Sequence, residues 1–324
     1  MSPSHANIIF GAGLVNDSSN LNTPAKTAAI LQILHRHNIQ QIDTAQIYGR
    51  SEELLGQANA AAEGFALDTK HGGGFRPGRS SREAVIADAE ESLRKLNTDS
   101  INVFYIHAPD RSAPLEPTLA GINDLYQAGK IKEFGLSNFT AAETREVLRL
   151  CQEHDYVRPT VYQGNYNAIS RLVETDLLPL LREHHIRFYA YSPIAGGFLT
   201  KTSEQLRNAS GSSGRWDPGS GFGKIYRGLY VNPDMLAVLD RWNEVAEQAG
   251  IPKAELAYRW VTYHSALKGE LRDAIIAGAS GVEQLEQTLA ALEKGPLEDE
   301  VVRRVEQIWE AAKEFAVLDN FNAR

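Results

Sequence analysis

Along this chain, short runs rich in β-branched and aromatic residues alternate with longer stretches whose apolar residues recur at helical spacing. The short runs are NIIFGAGL (7–14), QQIDTA (40–45), FALDTKH (65–71), INVFYIHA (101–108), KEFGLSNF (132–139), TVYQGNYN (160–167), IRFYAYSP (186–193) and DAIIAGAS (273–280). Between them, residues 24–37, 81–96, 115–128, 140–154 and 170–185 read as amphipathic helices. Helix starts are signalled by Thr23 before Pro24, by Ser51 before Glu52 and Glu53, and by Thr140 with Glu143 as a capping box.

Strands alternating with helices imply a parallel sheet. Eight such units within 324 residues fit a closed (β/α)8 TIM barrel, an α/β fold read here as one domain over 1–324. The rival is an open doubly wound sheet, which wants a glycine-rich phosphate turn after its first strand. Gly11-Ala12-Gly13 matches that turn only in part, because position 16 is Asn. Its plain reading is a tight turn out of a strand.

Two regions break the rhythm. Residues 202–224, TSEQLRNASGSSGRWDPGSGFGK, form a long Gly/Ser-rich loop after the seventh strand. Loops of that length are uncommon in compact domains unless they are disordered or act as lids. Arg215, Trp216, Phe222, Tyr226 and Arg227 lie in it or just after it, so it reads as a lid. The stretch from about 297 to 316 reads as an extra C-terminal helix.

Charge narrows the partners. A formal net charge of −8, with no basic stripe interleaved with aromatics, argues against nucleic acid. The single cysteine, Cys151, cannot form an internal disulfide and fits a reducing compartment. No window approaches the ~18 apolar residues of a membrane span, and MSPSHANIIF lacks the features of a leader. The expectation is a soluble cytoplasmic protein with no membrane partner. Metal catalysis is not expected. His35 and His37 point to different helix faces, and His184-His185 have no acidic partner at ligand spacing. Cys151 reads as a buried apolar filler.

In a barrel of this kind, chemistry gathers at the C-terminal ends of the strands. There stand Asp43, Lys70, His107, Ser137 with Asn138, Gln163, Tyr191 with Ser192, and Ser280. Singly each has a dull explanation: a helix cap, a solvated amine, a hydrogen-bonded histidine. Together they gather an acid, an amine, an imidazole and amides round one mouth. QIDTAQIYG (41–49) adds a phenol, Tyr48, beside Asp43. A phenol titrates near ~10, too high to release a proton freely at neutrality. An ammonium beside it favours phenolate, and Lys70 can supply one, aligned by Asp43. Tyr48 then donates a proton, and His107 hydrogen-bonds a carbonyl oxygen. A carbonyl being reduced needs just such a proton as hydride arrives on carbon.

The hydride donor needs a platform. Tyr191 can stack on a flat heteroaromatic ring, while Ser137, Asn138 and Gln163 can grip a carboxamide. The turn ASGVEQLEQ (279–287) enters a helix whose free N–H groups favour a phosphate. SPIAGGFLTK (192–201) offers small residues for close approach to a pyrophosphate, with Lys201 as counter-charge.

DTAQIYG, DTKHGG, FYIHAPD, GLSNF, VYQGNYN and YSPIAGGFLT follow one another in the order seen in aldo-keto reductases. The chain resembles that family over nearly its whole length, and within it the branch of aflatoxin-aldehyde and succinic-semialdehyde reductases. The resemblance implies a catalytic tetrad of Asp43, Tyr48, Lys70 and His107, with Tyr48 the general acid. It implies NADP(H), preferred over NAD(H), bound extended without a Rossmann domain. The cofactor would meet Ser137, Asn138, Gln163, Tyr191, the segment Ser192, Pro193, Ile194, Ala195, Gly196, Gly197, Phe198, Leu199, Thr200 and Lys201, then Arg215, Ser280, Gly281, Gln284 and Gln287. The substrate, a small aldehyde or ketone, would meet His107, Tyr226 and Arg324. A homodimer is implied by resemblance alone.

The sequence also departs from the branch. The last cofactor segment reads Gln287-Thr288 in place of Gln-Asn, and Gly278-Ala279-Ser280 carries no cation for a 2′-phosphate, a role left to Arg215. The branch's Tyr-Arg-x-Arg run is here Tyr226-Arg227-Gly228-Leu229, so only half of an anion clamp remains, with Arg324. Neutral or aromatic aldehydes are therefore expected ahead of succinic semialdehyde. Two other readings stand beside this one. Lys70 could be the Schiff-base lysine of a barrel aldolase, and channel-associated β subunits share the fold and tetrad as nucleotide sensors.

Overall fold

The computed structural model describes residues 5–17, 19–208 and 216–322. Its strands are β1 (Asn7–Gly11), β2 (Gln41–Asp43), β3 (Ala66–His71), β4 (Ile101–Ile106), β5 (Ile131–Ser137), β6 (Val161–Asn165), β7 (Arg187–Tyr191) and β8 (Ala274–Gly278). All eight pair in parallel in chain order, and β8 pairs back to β1 from Asn7↔Ala274 to Gly11↔Gly278, closing the barrel. The helices are α1 (Pro24–Arg36), α2 (Ser51–Gln57), α3 (Arg82–Leu96), α4 (Leu115–Gln127), α5 (Ala141–Glu153), α6 (Leu177–Glu183), α7 (Ser203–Arg207), α8 (Gly221–Tyr230), α9 (Pro233–Ala249), α10 (Lys253–Tyr263), α11 (Val282–Leu292) and α12 (Asp299–Ala312). The (β/α)8 TIM barrel expected from the alternation is thus the observed fold, and α12 is the extra C-terminal helix.

Side chains alternate across each strand, so β1, β4, β6, β7 and β8 each serve two apolar clusters. Outward residues such as Ile42, Phe104, Leu136 and Ile275 join the large cluster beneath the helices. Inward residues Ile9, Val103, Tyr105, Val161, Tyr189, Ala274 and Ile276 form a second, smaller cluster within the barrel. The inner space is tight. A Cβ on Gly135 would lie 2.4 Å from the Tyr105 ring, so β5 needs glycine where that tyrosine crosses the lumen.

Local signals set several boundaries. Thr23 caps α1 by accepting from the Lys26 N–H at 3.3 Å. Thr140 and Glu143 form the expected capping box, at 3.2 Å and 2.8 Å. Ser51 is not a cap, contrary to expectation. It is the first residue of α2, and its buried hydroxyl donates to Ala12 O at 2.8 Å and accepts from Thr44 at 2.7 Å. Tertiary partners outbid the local role. The helix expected over 170–185 is shorter, because Leu172–Glu174 is a separate 3-10 turn before α6. Pro179 falls in the first turn of α6, where a missing N–H costs little. The stretch 202–224 is not one open loop: it begins with α7, capped by Thr202 and Gln205, and ends inside α8. Residues 209–215 lie outside the described residues.

After α12 the chain returns across the C-terminal ends of the strands. Asn165 donates to Leu318 O at 3.2 Å, and Asn322 donates to Asn138 O at 2.9 Å. No helix among the described residues is long and apolar enough to cross a membrane, and none of their His, Cys, Asp and Glu residues cluster as a metal site.

Replacing Thr140 with Ala removes the hydroxyl that accepts from the Glu143 N–H and bonds its carboxylate, so the variant should lose about 1 kcal/mol of stability. Thermal unfolding measures this; an unchanged midpoint would contradict the role assigned to the box.

Candidate active site

Strand alternation assigns β3 its two faces. Thr69 faces out and donates to Glu52 on α2 at 2.6 Å, and His71 faces out against Asp88 on α3 at 2.8 Å. Asp68 and Lys70 therefore face into the barrel, where both are completely buried. The Lys70 ammonium gives its N–H groups to Asp43 Oδ1, Asp43 Oδ2 and Thr44 O, each at 2.7 Å. Gln163 completes the pair by donating to Asp43 Oδ1 at 2.8 Å. An ammonium so fully engaged has no free lone pair with which to attack a carbonyl, which disfavours the aldolase reading.

Tyr48 stands in the turn after β2, which Gly49 closes with a φ of +63°. The Lys70 Nζ lies 5.3 Å from the Tyr48 ring centroid. The His107 ring meets Tyr48 edge-on, with centroids 5.7 Å apart. Burial holds the His107 imidazole well below its usual titration range, and the Lys70 and His71 charges push the same way. It is neutral at pH 7. Its Nδ1 is buried without a partner among the described residues. A neutral ring can offer one N–H to a carbonyl oxygen without competing as an acid.

Ser137 ends β5 and Asn138 follows it, beside this group. The Asn138 amide donates to His107 O at 2.9 Å and to Ser137 Oγ at 3.1 Å, and its Oδ1 accepts from Tyr191 at 2.7 Å. Asn138 takes a φ of +60°, a left-handed conformation that asparagine tolerates better than most residues. The next segment, from Ser192 to Lys201, runs as a kinked turn. Ser192, Ala195, Gly196 and Gly197 all have positive φ. A Cβ on Gly196 would lie 2.0 Å from the Tyr226 ring, so close approach as well as φ demands glycine. Pro193, Ala195, Phe198 and Leu199 are buried and Ile194 is half-buried, so a ligand over this turn would meet chiefly its backbone. Thr200 donates to Gly197 O at 2.7 Å, and Lys201 is half-exposed. Beyond β8, Ser280 bonds Gln284 through both N and Oγ at 2.8 Å, while Gly281 gives α11 no side-chain cap. Gln287 is exposed on α11, and Thr288 is buried.

Tyr226 is buried behind the Gly196 turn, where its hydroxyl accepts from Asn320 at 3.1 Å. Arg227 spends an N–H on Leu206 O at 3.0 Å. Arg215 and Arg324 lie outside the described residues. The mouth instead shows residues that sequence reading overlooked. Phe75 lies 4.9 Å from the His107 ring and 5.0 Å from that of Phe321. Arg111 stacks over Phe321 at 5.5 Å and reaches Glu143 and Asn322. Asp319 accepts from Phe321 N at 2.8 Å and Asn322 Nδ2 at 2.7 Å, shaping the turn that carries Phe321 to the mouth. Their only signal is position: Phe75 and Arg111 follow β3 and β4, but the C-terminal residues belong to no strand end.

The aldo/keto reductase family model matches residues 7–310. The chain belongs to the aldo/keto reductase family. It is 41% identical over 288 residues to the oxidoreductase sirO of Leptosphaeria maculans, covering 88% of this chain and 86% of that one. It is 38% identical to human aflatoxin B1 aldehyde reductase member 2 over 92% of this chain and 85% of that one. Human aldo-keto reductase family 7 member A3 is also 38% identical, with 92% of each chain covered. This aldo/keto reductase is thus an oxidoreductase of the aflatoxin-aldehyde reductase branch, acting on small carbonyl compounds with a nicotinamide cofactor. Its residues suit that cofactor: a half-exposed Tyr191 beside an amide and hydroxyl pair, a backbone-lined turn, and a helix start without a side-chain cap. Cys151, packed in α5, has its thiol pushed up to about 12 by burial, which leaves it inert.

The reductase carries a second acid in its barrel. Asp68 accepts from Gln41 at 2.6 Å, from Asn102 at 2.7 Å and from Val103 N at 3.2 Å. Burial first, and the Asp43 charge second, raise its carboxyl to about 7. A folded value above the unfolded one means the native state prefers the proton. That stabilisation is full below about pH 4 and is lost as pH rises through 7. Relative to wild type, Asp68→Asn should therefore gain roughly 2–3 kcal/mol of stability between pH 5 and pH 8. Denaturant unfolding at both pH values tests this; an equal difference at both would refute it.

Proposed function

We propose that the chain reduces neutral or aromatic aldehydes and ketones with NADPH, and that Tyr48 gives the proton to the carbonyl oxygen. The observation that carries this reading is the buried Lys70–Asp43 pair set against the Tyr48 ring. The bound nicotinamide supplies the hydride. His107, kept neutral, hydrogen-bonds the carbonyl oxygen and orients it towards Tyr48. Lys70, aligned by Asp43 and Gln163, stabilises the phenolate that Tyr48 becomes when its proton leaves. Ser137, Asn138 and Gln163 hold the carboxamide, and Tyr191 forms the wall against which the ring lies. The turn of Ser192 to Lys201 and the α11 start, with Ser280, Gly281, Gln284 and Gln287, receive the phosphates and adenosine. Arg215 is assigned the 2′-phosphate, which favours NADPH over NADH. Tyr226 and Arg324 border the substrate, Tyr226 by holding Asn320 of the C-terminal tail.

This reading takes the chain as one domain, 202–224 as a lid over the cofactor, and the protein as a cytoplasmic homodimer. Phe75 beside His107, with Phe321 packed against Phe75, supports apolar and aromatic substrates over charged ones.

Tyr48→Phe should lower kcat by about 10²–10⁴-fold while leaving NADPH affinity, read by nicotinamide fluorescence, within about twofold of wild type. Turnover largely retained would end the proton-donor assignment. The same titration with NADH should give weaker binding, and equal affinities would remove the 2′-phosphate role of Arg215. Across an aldehyde panel, kcat/KM should be higher for benzaldehyde-type substrates than for succinic semialdehyde. The reverse ranking would contradict the half-clamp argument.

A further inference from the structure

Asp68 has no part in the reaction as just described, yet it lies on the inward face of β3 two residues before Lys70. Its strand register sets it opposite Asp43, the partner of that lysine. The barrel therefore holds two carboxyls for one ammonium on adjacent strands, all three at most 3% exposed. Gln41, Asn102 and the Val103 N–H clamp the second carboxyl from β2 and β4. The other titratable groups whose charge it influences are Asp43, Lys70, Tyr105 from β4 and Tyr189 from β7. Beyond Tyr189 the Arg187–Glu133 pair, at 2.6 Å, closes the floor.

We propose that Asp68 is a positioning residue for carbonyl reduction, a second buried acid whose protonation state sets how strongly the Lys70–Asp43 pair supports proton loss from Tyr48. This rests on the tetrad reading above. With Asp68 protonated, Asp43 alone balances the ammonium, and the charge of Lys70 is felt fully at Tyr48. With Asp68 ionised, a second negative charge opposes phenolate formation and draws the ammonium towards the barrel floor. The only chemical change is exchange of one proton between the carboxyl and water. Reduction is therefore faster with the acid protonated, and kcat for reduction falls through neutral pH.

The wild-type pH profile of kcat should show a fall near neutrality of roughly three- to tenfold, a coupling of half to one pK unit. Asp68→Asn, which keeps the shape and loses the charge, should hold the low-pH rate up to about pH 8 with the KM for NADPH unchanged. Gln41→Leu removes a donor to the ionised form and should move the fall to higher pH, which keeps the test open if the asparagine variant misfolds. A neutral inflection that persists in Asp68→Asn, one unmoved in Gln41→Leu, or a flat wild-type profile overturns the proposal. Infrared titration separates this from failure of the tetrad reading. A buried carboxyl C=O band that disappears near neutrality in wild type, and is missing in Asp68→Asn, reports the acid whatever Tyr48→Phe does to turnover. Absence of that band in wild type also overturns it.

Discussion

The ion pair of Lys70 and Asp43 is the constraint from which the rest follows. Placing an ammonium and a carboxylate in a closed barrel costs several kcal/mol per ion in lost hydration, and attraction alone does not reliably recover it. The chain recovers it through geometry. Lys70 has every N–H engaged, Asp43 takes a further bond from Gln163, and Thr44 gives its carbonyl. Those groups come from β2, β3 and β6, so the pair is satisfied only when the barrel is closed and in register. The geometry of this proposed catalytic group and barrel closure are thus one requirement, and the ammonium near Tyr48 is fixed by the fold rather than by a flexible side chain.

The residues assigned to the nicotinamide are held from two sides. From the barrel, Asn138 is fixed by His107 O, Ser137 and Tyr191. From the C-terminal tail, Asn322 binds Asn138 O and Asn320 N contacts the Tyr191 hydroxyl at 3.4 Å. Arg111 joins that tail to Glu143, which also serves the capping box of α5. One carboxylate therefore caps the start of α5 and anchors the segment that carries Phe321 to the mouth. The proposed catalytic core and the aromatic wall at the mouth share supports, but the wall depends on residues that no barrel strand dictates.

How much of this was legible differs by the range of the interaction. The eight strands, five of the helices, the Thr23 and Thr140 starts and the strand-end polar residues follow from periodicity and local backbone preference, which each segment carries in its own residues. Ser51 is no cap because its hydroxyl donates to Ala12 O just after β1 and accepts from Thr44 just after β2, and these partners outweigh a cap. The division of 170–185 and the helices inside 202–224 escaped because glycine, proline and polar residues blur helical spacing. Asp68 drew no notice, since an acid within a strand run carries no mark of which way it faces or how near a second acid lies.

The sequence alone determined the order of strands and helices, the family resemblance, and which chemical groups stand at the barrel rim. Those depend on residue type and spacing within short windows. Only the tertiary structure decided which groups touch: Gln163 meets Asp43 across 120 residues of chain, and Asn322 meets Asn138 across 184. Such contacts are set by barrel closure and by the path of the tail, and no local preference encodes a distance between segments so far apart.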